Sequence, residues 1–462
     1  MTPPTIPNGA RVHLVGIGGA GMSALAHVLL ERGHVVSGSD LRGGRSTTVL
    51  QAMGADIRLD HAAEHVAGAD VVGVSTAIPP DNPEVVAARA ARIPVLRRAE
   101  LLAALMQGST GVLVAGTHGK TTTTAMVTVA LQAAGLDPSF AIGGRLHEAG
   151  TSAHHGTGEV FVAEADESDS SFLAFEPDCA IVTNVDLDHH DHFTDLAAVD
   201  TAFAAFLARR RAGAPAIICS DDPGAQRLLD AASPPVLTYG REAAASVRIV
   251  DEAYDADGST FGVVWGGEDL GRFRLRLAGP HNVANATAAI AAARWAGADA
   301  DAIREGLRRF SGTQRRFQRL GEAGGVVVVD DYAHHPTELA ASLRAARQIA
   351  PEGRIVAVFQ PHRYSRTAAL GAELGRALAE ADVAIVSDVY SAGETPVAGV
   401  TGALVAEAAR EAGVATEFVA DAAGLVDAVA GQARRGDLVL TMGAGDITEL
   451  GPQLLERLER GR

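Results

Sequence analysis

Short apolar runs alternate with Ala- and Leu-rich stretches of helical length along almost the whole chain. RVHLVGIG (11–18) leads into SALAHVLLERG (23–33) and then HVVSGSD (34–40). The pattern restarts at GVLVAGTHGK (111–120), which is followed by EVFVAEAD (159–166) and CAIVTNVD (179–186). It restarts again at GVVVVDDYAHHP (325–336), followed by RIVAVFQPH (354–362) and DLVLTMGAGD (437–446). Such alternation constrains the fold, because parallel strands need long crossover connections and helices supply them. A length of 462 residues exceeds a single core. The expectation is three α/β domains in series, 1–107, 108–312 and 313–462, divided near Gln107–Gly108 and Ser311–Thr313 where the strand pattern begins anew.

The formal charge of −17 argues against a nucleic-acid or anionic-membrane surface, both of which need clustered positive charge. Cys179 and Cys219 form no CxxC pair, which fits a reducing compartment. The first residues lack a basic-then-apolar signal layout, and no apolar run approaches the roughly 20 residues that cross a bilayer. A cytoplasmic protein without membrane insertion is expected.

Lys120 is the only lysine; every other one of the 39 basic side chains is arginine. It lies in GTHGKT (116–121), between an apolar run and a helix-compatible stretch. This is the layout of a phosphate-binding loop, with backbone amides and a helix N-terminus facing the anion. Lysine brings a compact charge to the outer phosphates and the hydroxyl of Thr121 a magnesium ligand. The usual GxxxxGK[ST] spacing asks for glycine at 114, where this chain has Val114, so the loop is a variant; a surface turn containing GK is the alternative.

Two clusters follow other apolar runs: Glu164, Asp166, Glu167 and Asp169, then Asp186, Asp188, His189, His190, Asp191 and His192. Ligands of open α/β sheets collect at the carboxyl ends of strands. Oxygen donors suit magnesium, and an imidazole among them serves a second divalent ion. At least one metal ligand is expected from each cluster, with most of the other charges being solvated loop residues.

Gly16, Gly18 and Gly21 have GxGxxG spacing, and Asp40 ends the next apolar run. Alone this reads as an NAD-dependent oxidoreductase, but the same loop binds the diphosphate of any nucleotide-linked ligand. A second phosphate loop with acidic clusters disfavours hydride transfer. An ATP-driven switch protein would need partner-binding tails or coiled coils, and the sequence shows neither.

GIGGAGMSALA, GTHGKTTTT, EADESDSSF, TNVDLDHHD, GPHNVANATAA, GTQRRF, DDYAHHPTE and FQPHRYSRT occur in an order that resembles the Mur ligases over essentially the whole chain. The resemblance implies a Rossmann-like N-terminal domain for a UDP-sugar, a P-loop ATPase-type central domain and a Rossmann-like C-terminal domain for an amino acid. The alanine-adding branch fits best. It implies that ATP phosphorylates the lactyl carboxylate of UDP-N-acetylmuramate and that the amine of L-alanine displaces phosphate.

The same resemblance assigns Lys120, Glu164, His189 and Arg316 to catalysis. It assigns Thr121 and Glu164 to a first magnesium and His189 to a second. Gly116, Thr117, His118, Gly119, Lys120, Thr121 and Thr122, with His281, Asn285 and Arg315, match the ATP site; Asn285 could instead be a helix-start residue. Gly18, Gly19, Ala20, Gly21, Met22, Ser23, Asp40 and Ser75 match the UDP-sugar site. Tyr332, His334, Arg363 and Arg366 match the amino-acid site, where paired arginines suit a carboxylate. His334 and Asp331 are candidate bases for the amine, and loss of its proton to water or to product phosphate is an equal possibility.

Several relatives hold the second magnesium through a carbamylated lysine, and no lysine follows Lys120 to do so. The DNPR signature of the diaminopimelate-adding branch is absent; DNPE at 81–84 lies in the first domain. The recycling ligase, which attaches a tripeptide to the same UDP-sugar, is the nearer alternative, although its glycine loop departs from GIGGAGM. Folylpolyglutamate synthases lack the first domain.

Overall fold

The computed structural model describes residues 5–146, 149–188, 192–255 and 257–460. It contains three sheets. The first is wholly parallel and is built from β1 (Arg11–Val15), β2 (Val35–Ser39), β3 (Asp56–Arg58), β4 (Val71–Val74) and β5 (Val95–Arg97), in the order β3-β2-β1-β4-β5. The chain order reverses direction between β1 and β4, so a crevice opens beyond their carboxyl ends, where Gly16, Asp40 and Ser75 follow the strands.

Seven strands of the second sheet are β6 (Thr110–Ala115), β7 (Ser139–Leu146), β8 (Thr151–His154), β9 (Val160–Glu164), β10 (Cys179–Val182), β11 (Ala216–Cys219) and β12 (Val236–Gly240). Their order is β12-β11-β10-β6-β9-β7-β8. Strands β10, β6 and β9 run parallel side by side, so the residues after all three emerge along one edge. Val112, Val114, Ala115, Phe161, Val162 and Ile181 are fully buried, as continuous apolar runs covered on both faces should be. Val247 and Arg248, at the start of β13 (Val247–Asp255), pair in parallel with β12. Farther on, β14 (Gly258–Trp265) and β15 (Glu268–Leu275) form an antiparallel hairpin.

The third sheet comprises β16 (Gln318–Ala323), β17 (Val326–Asp331), β18 (Ile355–Phe359), β19 (Val383–Ser387), β20 (Ala415–Val419) and β21 (Leu438–Met442), in the order β16-β17-β21-β18-β19-β20. All but the edge strand β16 are parallel. Alternate side chains take opposite faces. Val329, Ile355, Ala357, Phe359 and Leu440 pack with Leu339, Leu343, Leu374 and Val405 of the helices Pro336–Ile349, Tyr364–Ala377 and Gly402–Glu411. Val328, Val356, Val358 and Val439 pack with Leu425, Val429 and Leu454 of the helices Ala422–Gln432 and Leu450–Arg460.

By contact density the chain divides into two compact units, Met1–Asp186 with Ala197–Arg248 and Ala286–Leu307, and Leu187–Leu196 with Ile249–Asn285 and Arg308–Arg462. Among the described residues, no helix is long and apolar enough to cross a membrane.

Phe359 ends β18 fully buried in the third core. Phe359→Ala is expected to lower the stability of that core by about 3–5 kcal/mol, read as an earlier unfolding transition in urea.

Candidate active site

In the first unit, β6 runs into Gly116 and Gly119, both at positive φ, and the helix Lys120–Ala133 begins immediately after them. That helix opens with four threonines, poor helix formers. The last of these and a later threonine satisfy their hydroxyls within it: Thr124 donates to the Lys120 carbonyl and Thr128 to the Thr124 carbonyl, each at 2.8 Å. A Cβ on Gly116 would stand 1.9 Å from the Thr183 hydroxyl, so only glycine lets the loop pass this close to the end of β10. The loop is pinned from that side. Thr183 and Asn184 both donate to the His118 carbonyl, at 2.6 and 2.9 Å, and the His118 amide donates to Asn184 Oδ1 at 2.8 Å. Thr117 Oγ1 accepts from the Asp186 amide at 2.9 Å.

The Lys120 ammonium donates to the carbonyls of Gly116 (2.6 Å) and Thr117 (3.2 Å) and to both oxygens of Glu167 (2.9 and 2.8 Å). Burial would lower its pKa, but the charges of Glu167, Asp166 and Glu164 outweigh burial and hold it above its ordinary value. Glu167 is pushed up to about 7, first by burial and then by Asp166, against the pull of Lys120. One cation among three carboxylates leaves surplus negative charge beside the loop. Glu164, at the end of β9, accepts from Thr121 Oγ1 at 3.2 Å and from the Gly143 amide at 2.6 Å. A hydroxyl and a carboxylate at this spacing are hard oxygen donors of the kind magnesium takes. Thr122 is buried in the first turn of the helix. His189 lies outside the described residues.

The first glycine loop belongs to the same unit. The Ser39 carbonyl accepts from the amides of Gly16 (2.8 Å) and Ile17 (3.1 Å). Asp40 accepts from the Gly18 amide at 2.9 Å through one oxygen and from the Arg42 amide at 3.2 Å through the other. Asp40 therefore holds the loop as well as standing beside it. Gly19 caps the helix Ala20–Glu31, Ser23 Oγ donates to the Ala20 carbonyl, and Ser75 packs beside Gly16. Met22 is a core side chain, which leaves only its backbone for a ligand. A Cβ on Gly21 would meet Arg98 at 2.7 Å, and Arg98 Nη2 reaches Asp166 at 3.4 Å. Arg98 thus runs from one phosphate loop to the acids around the other.

The second unit holds the remaining candidates. His281 lies in the first turn of the helix Pro280–Trp295, and burial pushes its pKa down to about 4. Asn285 is buried further along that helix, past the capping position. Ahead of β16, the guanidinium groups of Arg315 and Arg316 each stand 5.0 Å from the ring centroid of Tyr332, which follows β17. Arg315 also donates to the Gly443 carbonyl, and Arg316 lies 3.9 Å from Glu338.

His334 Nδ1 lies 3.0 Å from the Tyr332 carbonyl, so it carries the proton and leaves Nε2 its lone pair. Burial pushes the His334 pKa down to about 4, which keeps the ring neutral at physiological pH. Asp331 is pushed up to about 6 by burial, yet its oxygens already accept from the amides of Phe317 and Ala333 and from Ser342. Of the two candidate bases, His334 has the more available lone pair. The arginines named as carboxylate anchors face acids of the protein. Arg366 Nη2 donates to Asp188 at 3.0 and 3.3 Å with both side chains buried, and Arg363, at φ +70°, lies 3.9 Å from Glu394.

Sequence reasoning singled out neither Glu167 as the partner of Lys120, nor Arg98, nor Asp188 as the partner of Arg366. The first and last stand inside the quoted acidic clusters, but composition does not say which acid meets which cation.

Three successive nucleotide-fold sheets, a lysine phosphate loop and strand-end acids define a nucleotide-dependent enzyme. Comparison with known proteins makes this specific: residues 11–110 match the Mur ligase family catalytic domain, 114–293 the Mur ligase middle domain, and 315–445 the Mur ligase glutamate ligase domain. The UDP-N-acetylmuramate–L-alanine ligase of Saccharopolyspora erythraea is 51% identical over 97% of this chain and 94% of its own. That of Acidothermus cellulolyticus is 49% identical over 97% and 95%. The crystal structure of the UDP-N-acetylmuramate-alanine ligase of Thermotoga maritima superposes with a TM-score of 0.82 at 29% identity, over 98% of this chain and all of that one. A murein peptide ligase from Psychrobacter arcticus gives a TM-score of 0.71 at 25% identity, covering 98% and 99%. The chain belongs to the Mur ligase family.

Two outcomes test this geometry. Gly116→Ala forces a Cβ into Thr183 at a backbone angle of +139° and is expected to cost more than about 2 kcal/mol, seen as a lower melting temperature with loss of nucleotide binding. Asp188→Ala strands a buried guanidinium and is expected to cost about 3–5 kcal/mol. Asp188→Ala combined with Arg366→Met should recover much of that loss in the same melting assay.

Proposed function

We propose that this protein is an ATP-dependent ligase that joins L-alanine to UDP-N-acetylmuramate, releasing ADP and phosphate, and that it acts in the cytoplasm. The observation that carries the reading is the Lys120 loop with Thr121 and Glu164 beside it, in a chain about half identical over its length to ligases of that name. Residues 1–107 serve the UDP-sugar, 108–312 ATP and 313–462 the amino acid.

The Gly18–Ser23 segment, with Asp40 and Ser75, takes the UDP-sugar diphosphate on backbone amides at the start of a helix. Gly116–Thr122 take the ATP phosphates, His281 and Asn285 the adenine, and Arg315 and Arg316 charge near the outer phosphates. Lys120 exchanges Glu167 and loop carbonyls for phosphate oxygens, and its raised pKa keeps it cationic as it does so. Thr121 and Glu164 hold a first magnesium and His189 a second; when bound, magnesium neutralises phosphate charge. Phosphoryl transfer leaves little covalent work for the protein, so positioning and charge are its contribution.

The lactyl carboxylate oxygen attacks the γ-phosphorus, the bond to the ADP oxygen breaks, and an acyl phosphate forms. The L-alanine amine then adds to the acyl carbon, phosphate leaves, and an amide remains. Neutral His334 offers Nε2 to the amine proton, and Tyr332 and Arg363 stand at the amino-acid end, where Arg366 takes part only by leaving Asp188.

The test is ADP release with UDP-N-acetylmuramate while L-alanine, L-serine, glycine and tripeptide are compared. L-alanine should give the highest kcat/KM, and Lys120→Arg should lower turnover at least a thousandfold with an unchanged circular-dichroism spectrum. Preference for the tripeptide would make this a recycling ligase; turnover of NAD alone would overturn the reading altogether.

A further inference from the structure

The first domain buries a carboxylate that none of these steps uses. Glu84, second residue of the helix Pro83–Ala90, is 0% exposed. Ser39 Oγ donates to its Oε2 at 2.6 Å; His61 Nδ1 lies 2.8 Å from the same oxygen and His65 Nδ1 2.8 Å from the other. His13 Nε2 sits 3.4 Å from Oε1. Burial pushes the carboxyl pKa up, but these neighbours outweigh it and hold Glu84 at about 2, ionised throughout the physiological range.

A buried charge is a poor way to stabilise a fold, because desolvation offsets most of what its partners return. What Glu84 grips is more informative. Ser39 ends β2; its hydroxyl is held by Glu84, while its carbonyl holds the amides of Gly16 and Ile17. The next residue, Asp40, holds the amide of Gly18. Ser39 therefore links the buried carboxylate to the glycine loop, its hydroxyl on one and its carbonyl on the other. His61 reinforces this link, lying 3.1 Å from the same Ser39 hydroxyl.

We infer that Glu84 is a positioning residue for the nucleotide-sugar site, fixing the end of β2 and, through Ser39, the glycine loop that receives the diphosphate. The inference rests on the UDP-sugar reading of the first domain. A loop that must present several amides to one anion at once loses affinity when its anchor can shift, whereas ATP and amino-acid binding do not depend on that anchor.

The experiment measures UDP binding by calorimetry on the full chain, together with KM for each substrate. Ser39→Ala removes only the link, and Glu84→Gln puts an amide among the donors. Both are expected to weaken UDP at least tenfold and to raise KM for UDP-N-acetylmuramate comparably, with KM for ATP and L-alanine within twofold and kcat within threefold. Glu84→Asp should fall between them and the wild type. Val72→Ala, in the core of the same sheet, supplies a destabilised control whose UDP affinity stays within twofold of wild type. Unchanged UDP affinity in Ser39→Ala overturns the inference, and so does equal loss in Val72→Ala or across all three substrates. If Glu84→Gln does not fold, Ser39→Ala decides. A wild-type protein that ligates with ATP but binds no UDP would overturn the substrate reading itself.

Discussion

A single ammonium group organises the central site. Lys120 closes its own loop through two carbonyls and balances three acids contributed by the segment after β9. The arrangement is possible because β9, β6 and β10 are parallel neighbours, so the glutamate, the loop and the pinning residues Thr183 and Asn184 leave the sheet on one edge. Arginine at 120 would bring a broad fork with fixed donor directions to contacts that fit one compact tetrahedral cation. The chain's use of arginine at every other basic position shows how narrow that requirement is.

The same principle recurs in the third sheet. There β17, β21 and β18 are parallel neighbours, and the residues after them bring Tyr332, His334, Gly443 and His362 to one edge. Guanidinium groups meet an aromatic ring as well as acids: Arg315 and Arg316 lie over the Tyr332 ring, and His362 stacks on Tyr390 at a centroid separation of 5.6 Å. Neutral imidazoles dominate, since burial lowers the pKa of both His334 and His362. Burial and the nearby Arg366 guanidinium hold His334 in its neutral form.

Strand ends and glycine loops were legible in the sequence because their causes are local. An apolar run, a glycine that can take positive φ and a helix-forming stretch lie next to one another in GVLVAGTHGK and RVHLVGIGG. Pairings across the fold were not legible. Glu167 meets Lys120 across 47 residues and Asp188 meets Arg366 across 178, and nothing local marks which of several acids makes either contact. The histidines around Glu84 were silent for the same reason, His61 and His65 meeting it across 23 and 19 residues.

Both phosphate loops already have an internal anion: Asp40 on the Gly18 amide and Glu167 on the Lys120 ammonium. At Lys120 an incoming oxyanion would therefore trade places with Glu167, whereas Asp40 stays on the Gly18 amide as part of that loop's frame. One good contact replaces another at the ammonium, so what a ligand gains there has to come from its remaining contacts.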